Sequence, residues 1–236
     1  SPKNNGGLMK KIILNHKSYL SYEEITKYIK DMNNIKTKEE LIIFPSINYL
    51  ALFALSKYKV GAQNFYSYNY GSYTGEVCLE SLKSMNVNYT IVSHPERILL
   101  RLDSYEEMKD KLFRSLNMGF KTILCVGHDN SLKTIKKELK FYLKGVEYDS
   151  LKNLLIAYEP ASHIDSSNVN LNEIAYVTDF IKKYMQKHYE IDTPILYGGG
   201  VSKDNISDVL KLTDGVLIGK TSTNIQYLKE ILKSID

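Results

Sequence analysis

Short runs of aliphatic and β-branched residues alternate along the chain with longer stretches in which apolar residues recur every three or four positions. The short runs fall at 12–14, 41–44, 59–62, 89–92, 122–126, 154–158, 195–197 and 215–218. They are apolar almost throughout rather than alternating, which is the pattern of strands covered on both faces of a parallel sheet. The longer stretches predict helices over 21–33, 46–56, 75–85, 104–117, 131–144, 170–187, 203–212 and 221–234. Ser21 with Glu24, and Ser104 with Glu107, have the spacing of capping boxes, and Asn170 with Glu173 marks a third helix start.

Eight strand–helix units in order imply parallel strands joined by right-handed crossovers. With 236 residues and no proline-rich or low-complexity linker, the chain is expected to be one α/β domain, a (β/α)8 barrel over residues 9–236. Strand counting alone leaves an open doubly wound sheet possible. No Gly-x-Gly-x-x-Gly follows the first run, which weakens the dinucleotide-binding version of that sheet. Residues 1–8 are polar and Gly-rich, unlike a signal peptide, and Met9 reads as a natural start. An added remnant or flexible tail is expected there.

Composition narrows the function classes. Apolar residues make up 43% of the chain and charged residues 25%, as in ordinary globular proteins, with a net charge of +4. Lysines are interspersed with acids, so neither nucleic acid nor a membrane surface is an expected partner. No apolar run approaches the roughly 18 residues of a spanning helix. The lysines from Lys133 to Lys144 read as a solvated helix face. Cys125 is expected in a buried strand and Cys78 in a helix core, which suits a reducing, cytoplasmic setting rather than a disulfide framework.

In such a barrel the chemistry gathers at the carboxyl ends of the strands. Asn15 and Lys17 stand past the first strand, and His94, Glu96 and Arg97 past the fourth. Glu159 stands past the sixth, Gly198, Gly199 and Gly200 past the seventh, and Gly219 and Lys220 past the eighth. Taken singly, each has an ordinary reading: a strand stop before proline, a core histidine, a solvated lysine, a turn. Together they bring a carboxylate, an imidazole, an ammonium and two glycine turns to one mouth. His16, His128 and His188 lack metal-site spacing and read as structural or solvated.

These segments resemble the triosephosphate isomerase family. Asn15-His16-Lys17, Gly61-Ala62-Gln63-Asn64, Tyr73-Thr74-Gly75-Glu76, Val92-Ser93-His94-Pro95-Glu96-Arg97, Cys125-Val126-Gly127, Ala157-Tyr158-Glu159-Pro160, Tyr197-Gly198-Gly199 and Asp214-Gly215-Val216-Leu217-Ile218-Gly219 are similar to its motifs, in order, from residue 12 onward. The resemblance implies a small phosphorylated sugar as substrate and no metal or organic cofactor. Glu159 would take a proton from carbon, neutral His94 would polarise the carbonyl, and Lys17 and Asn15 would stabilise the enediolate. Glu96 would support them. The phosphate would rest on Gly199, Gly200, Gly219 and Lys220, with Asp165 near it. The resemblance also implies a homodimer in which the loop from Phe65 to Thr74 inserts beside a neighbour's Asn15 and Lys17.

Several positions depart from the family pattern. Pro95 stands for a serine, removing an N–H. His128 stands for a glutamate and Lys220 for a glycine. In the lid, Ser162 stands for a tryptophan and Asp165 for a glycine whose N–H meets the phosphate. Three functions therefore stay open: a triosephosphate isomerase, an isomerase of a related short-chain ketose phosphate, and a phosphate-binding barrel without efficient catalysis.

Overall fold

Eight parallel strands close on themselves in chain order: β1 (Lys11–Asn15), β2 (Glu40–Phe44), β3 (Lys59–Ala62), β4 (Tyr89–Val92), β5 (Lys121–Val126), β6 (Leu154–Tyr158), β7 (Ile195–Gly198) and β8 (Gly215–Ile218). The last pairs with the first, Ile12 beside Val216 and Leu14 beside Ile218, so no sheet edge is left open. This computed structural model describes residues 9–164, 166 and 168–236. The expected tail over 1–8 lies outside the described residues, as does Asp165.

The uniform apolarity of the strands has a direct cause. Ile13, Ile42, Ile91, Ile123, Leu155 and Leu196 fill the barrel, while Ile12, Leu14, Ile43, Val92, Leu124 and Ile156 face the helices. Both faces of each strand are dry, so both carry hydrophobic side chains. Phe44 lies across Gly61, where its ring occupies the space a Cβ would take. Gly215 passes against the carbonyl oxygen of Lys11 in the same way.

The outer layer is α1 (Tyr22–Met32), α2 (Leu79–Ser84), α3 (Pro95–Leu99), α4 (Tyr105–Asn117), α5 (Leu132–Leu143), α6 (Leu171–Tyr189), α7 (Ile206–Leu212) and α8 (Ile225–Lys233). Both predicted capping boxes form: the Ser21 and Ser104 hydroxyls accept the N–H of Glu24 and Glu107, whose carboxylates accept the serine N–H groups in return. The lysines of α5 are exposed as expected.

Several elements differ from the expected pattern. The stretch 46–56 forms a 3-10 helix at Ile47–Phe53, without a side-chain cap from Ser46. The helix expected over 75–85 starts only at Leu79, because Gly75 takes φ +88° and Tyr66 bridges to Cys78 first. Cys78 is thus a half-buried residue before the helix, not part of its core. The segment from Pro95 to Leu99 is helical, and the last helix is preceded by a separate 3-10 turn at Lys220–Thr223.

Candidate active site

At the end of β1 the chain turns sharply. The Oδ1 of Asn15 accepts the N–H of Lys17 at 3.1 Å, and Lys17 takes φ +51°, a left-handed conformation rare for lysine. Gln63, just past β3, donates its Nε2 to the carbonyls of Lys17 at 3.0 Å and Phe44 at 2.9 Å. Held this way, Lys17 crosses the barrel mouth. Its Nζ meets Oε1 of Glu96 at 2.5 Å. Its Cε and Nζ lie 3.4 and 3.5 Å from the place a Cβ on Gly219 would take.

Just past the fourth strand Ser93 takes φ +66°, and His94 caps α3. Its Nδ1 accepts the backbone N–H of Glu96 at 3.2 Å, which assigns any single ring proton to Nε2. Pro95 is the first residue of that helix, where an N–H has no intrahelical partner. The donor lost by replacing serine is therefore one the helix does not need.

Glu159 follows β6 and is only 5% exposed. Its Oε1 stands 3.1 Å from His94 Nε2, although the two make no well-aligned hydrogen bond. Its Oε2 lies 3.9 Å from the Sγ of Cys125. Its Cδ would lie 2.7 Å from a Cβ at Gly198.

The electrostatics follow from this burial. Desolvation raises the pKa of Glu159, but His94 and then Lys17 outweigh it, so the carboxylate is held ionised. Desolvation lowers the pKa of His94, while Glu159 and then Glu96 raise it, and the net pull is upward. The N–H accepted at Nδ1 works against a second ring proton. Burial, with Glu159 and Glu138 nearby, keeps Cys125 a thiol.

Lys17, Glu159, Ile164, Gly199, Gly200 and Lys220 line a cleft of about 390 Å³. Asn15, Gln63, His94, Glu96 and Arg97 line an adjoining cavity of about 360 Å³, and Lys17 borders both. The nominated residues among those described thus converge on one mouth. The convergence is not uniform: Lys220 is exposed, and its ammonium sits 5.5 Å over the ring of Tyr19 at the cleft's rim. Of the other histidines, His16 is buried edge-on against Tyr28, and burial lowers its pKa to about 4. His188 packs against Tyr184 with the two rings tilted. Gln63 was not singled out for a role in the site. The signal was a polar residue directly past an apolar strand.

A barrel mouth with a buried, ionised carboxylate against an imidazole, an ammonium beside them and two glycine turns can move a proton on a bound anion. The family model for triosephosphate isomerase matches residues 10–235. The triosephosphate isomerase of Orientia tsutsugamushi (strain Boryong) is 31% identical over 242 residues, covering 95% of this chain and 97% of the relative. That of Ureaplasma parvum serovar 3 is 30% identical, covering 95% and 98%. That of Helicobacter acinonychis (strain Sheeba) is 29% identical, covering 92% of each.

Proposed function

Because the chain belongs to the triosephosphate isomerase family, and is an aldose–ketose isomerase by that membership, we propose that it interconverts dihydroxyacetone phosphate and glyceraldehyde 3-phosphate through an enediolate. The observation that carries this reading is the 3.1 Å approach of His94 Nε2 to the Glu159 carboxylate, with each residue lining one of the two adjoining cavities that Lys17 borders. Glu159 takes the proton from the carbon beside the carbonyl and returns it to the neighbouring carbon. A carbonyl oxygen placed between the two residues receives the Nε2–H of His94 and separates the imidazole from the carboxylate that raises its pKa. Lys17 offsets the phosphate charge and that of the enediolate. Asn15 acts through its hold on Lys17 and lines the cavity beside His94. Backbone N–H groups at Gly199, Gly200, Gly219 and Lys220 receive the phosphate. By the family resemblance, Asp165 would stand near the phosphate.

A homodimer is part of this reading. Tyr66, Tyr68 and Tyr73 of the loop 65–74 form an aromatic cluster with ring centroids 5.0–5.5 Å apart, and Tyr68, Tyr70 and Tyr73 are exposed. Such a surface suits burial in an interface. Both cysteines are free, which fits a reducing, cytoplasmic setting.

Coupled assays with dihydroxyacetone phosphate and with a four-carbon ketose phosphate test the activity. A higher kcat/KM for the triose phosphate is expected. Preference for the longer substrate transfers the reading to that ketose phosphate, and no turnover of either refutes it.

A further inference from the structure

The loop after β6 carries a side-chain cluster that proton transfer does not use. His163 ends the 3-10 turn Ala161–His163. Its Nδ1 lies 3.0 Å from the hydroxyl of Tyr197, and its Nε2 lies 3.8 Å from Oε2 of Glu173. Oε1 of Glu173 accepts the hydroxyl of Tyr158 at 2.5 Å. Tyr158 directly precedes Glu159, and Tyr197 directly precedes Gly198, against which the Glu159 carboxylate packs. His163 therefore joins the two strand ends between which the carboxylate sits. The next residue, Ile164, is a wall of the cleft.

A second observation points the same way. Glu173 is the third residue of α6. At the same position in α1 and α4, Glu24 and Glu107 turn back to accept the cap residue's N–H at 3.2 and 2.7 Å. In α6 the Asn170 side chain accepts the Glu173 N–H at 3.1 Å, but the glutamate does not return the bond. Its carboxylate is turned to Tyr158 and His163 instead, so the helix gives up half of its capping box to this cluster.

We propose that His163 is a positioning residue, a clasp that binds the first turn of the β6 loop to Tyr197, with Glu173 alongside, and so holds Ile164 against the phosphate end of the cleft. The proposal rests on the isomerase reading. The first turn is already tied at its base, where Ala161 donates its N–H to the His128 carbonyl at 2.9 Å. Beyond that bond, side-chain anchorage of the turn to β7 runs through the His163 ring among the described residues. Releasing the ring lets the cleft wall move while Glu159, His94 and Lys17 keep their own contacts. The effect is therefore on binding of the phosphate more than on the proton transfer.

Steady-state kinetics with dihydroxyacetone phosphate, inhibition by inorganic phosphate and thermal melting test this on His163→Ala, His163→Asn, Tyr197→Phe and the double variant. His163→Ala should raise KM and the phosphate inhibition constant together, each about fivefold to tenfold, with a smaller fall in kcat. His163→Asn should recover most of the loss, because its amide reaches the Tyr197 hydroxyl from the position of Nδ1. Tyr197→Phe should match His163→Ala, and the double variant should be no worse than either. A KM change below about twofold, or single effects that multiply in the double variant, overturns the clasp. If His163→Ala does not fold, the comparison of His163→Asn with Tyr197→Phe carries the same expectation. If the wild type lacks triose phosphate turnover, the isomerase reading fails. Calorimetric binding of inorganic phosphate to the same variants then still decides on the clasp.

Discussion

Lys17 and Glu96 meet across the barrel mouth, Nζ to Oε1 at 2.5 Å, one from the turn after β1 and the other from the first turn of α3. The lysine is nearly buried while the glutamate side chain is 42% exposed. With its carboxylate partly in solvent, the pair adds little to stability but fixes where the ammonium stands. Glu96→Gln should lower kcat/KM about tenfold, mostly through KM, with a melting temperature close to wild type. Kinetics and a thermal melt on the one variant check both halves.

Glu159→Gln should lower kcat by at least about a thousandfold, because the amide keeps the shape and loses the basicity. It should also move His94. Burial lowers the pKa of that imidazole and Glu159 is the main group raising it, so removing the charge should shift its titration downward. NMR titration of His94 in both forms reads the shift. An unchanged His94 would separate the two residues electrostatically.

At the opposite end of the barrel, Glu40 binds Lys11 at 2.7 Å and Lys59 at 2.9 Å and accepts the Tyr89 hydroxyl at 2.9 Å. Burial works to raise its pKa, but these donors bring it down from 4.5 to about 2. A carboxylate held below its unfolded value contributes stability that is complete above about pH 4.5 and is lost as the pH falls toward 2. Glu40→Gln should therefore melt below wild type at neutral pH, and the gap should close as the pH approaches 2. Melting curves from pH 2 to 7 test this.

Glu138 on α5 behaves oppositely. Burial raises its pKa to about 7, although it accepts the Gly127 N–H at 2.9 Å. Folding then favours the protonated acid, so its contribution is complete below about pH 4.5 and is lost as the pH rises through 7. Glu138→Gln keeps an acceptor for Gly127 and removes the charge. It should melt higher than wild type at pH 8 and about equal to it at pH 4. A destabilised variant at pH 8 would show that the ionised form is the one the fold requires.

The barrel was legible because its cause is local. Residues such as Ile12 and Ile13 are both buried, one toward the helices and one inside, so the strand announces itself as an unbroken apolar run. The site was legible because topology places every strand end on one face, where Asn15, Lys17, His94 and Glu159 stood out as polar residues after such runs. What stayed hidden depends on partners far away in sequence. The spacing around Glu173 correctly marked a helix start, yet its carboxylate went to Tyr158 and His163 from other segments. Pro95 read as a lost donor when it opens a helix. The Ile47–Phe53 segment has helical spacing, but without a capping side chain it tightens into a 3-10 turn.

Three glycines of the barrel answer to different constraints. A methyl group on Gly61 would meet the ring of Phe44, and one on Gly215 would meet the carbonyl of Lys11, so at those positions architecture itself rejects a larger residue. At Gly198 the obstacle is the Glu159 side chain, neither backbone nor an aromatic ring. Alanine there should leave the protein folded while displacing the Glu159 carboxylate. A library screened for solubility and melting should accept Gly198→Ala while refusing changes at Gly61 and Gly215, and a library screened for turnover should refuse all three. On the proposed reading, position 198 is kept open for the Glu159 carboxylate, whereas Gly61 and Gly215 are kept open for the barrel itself.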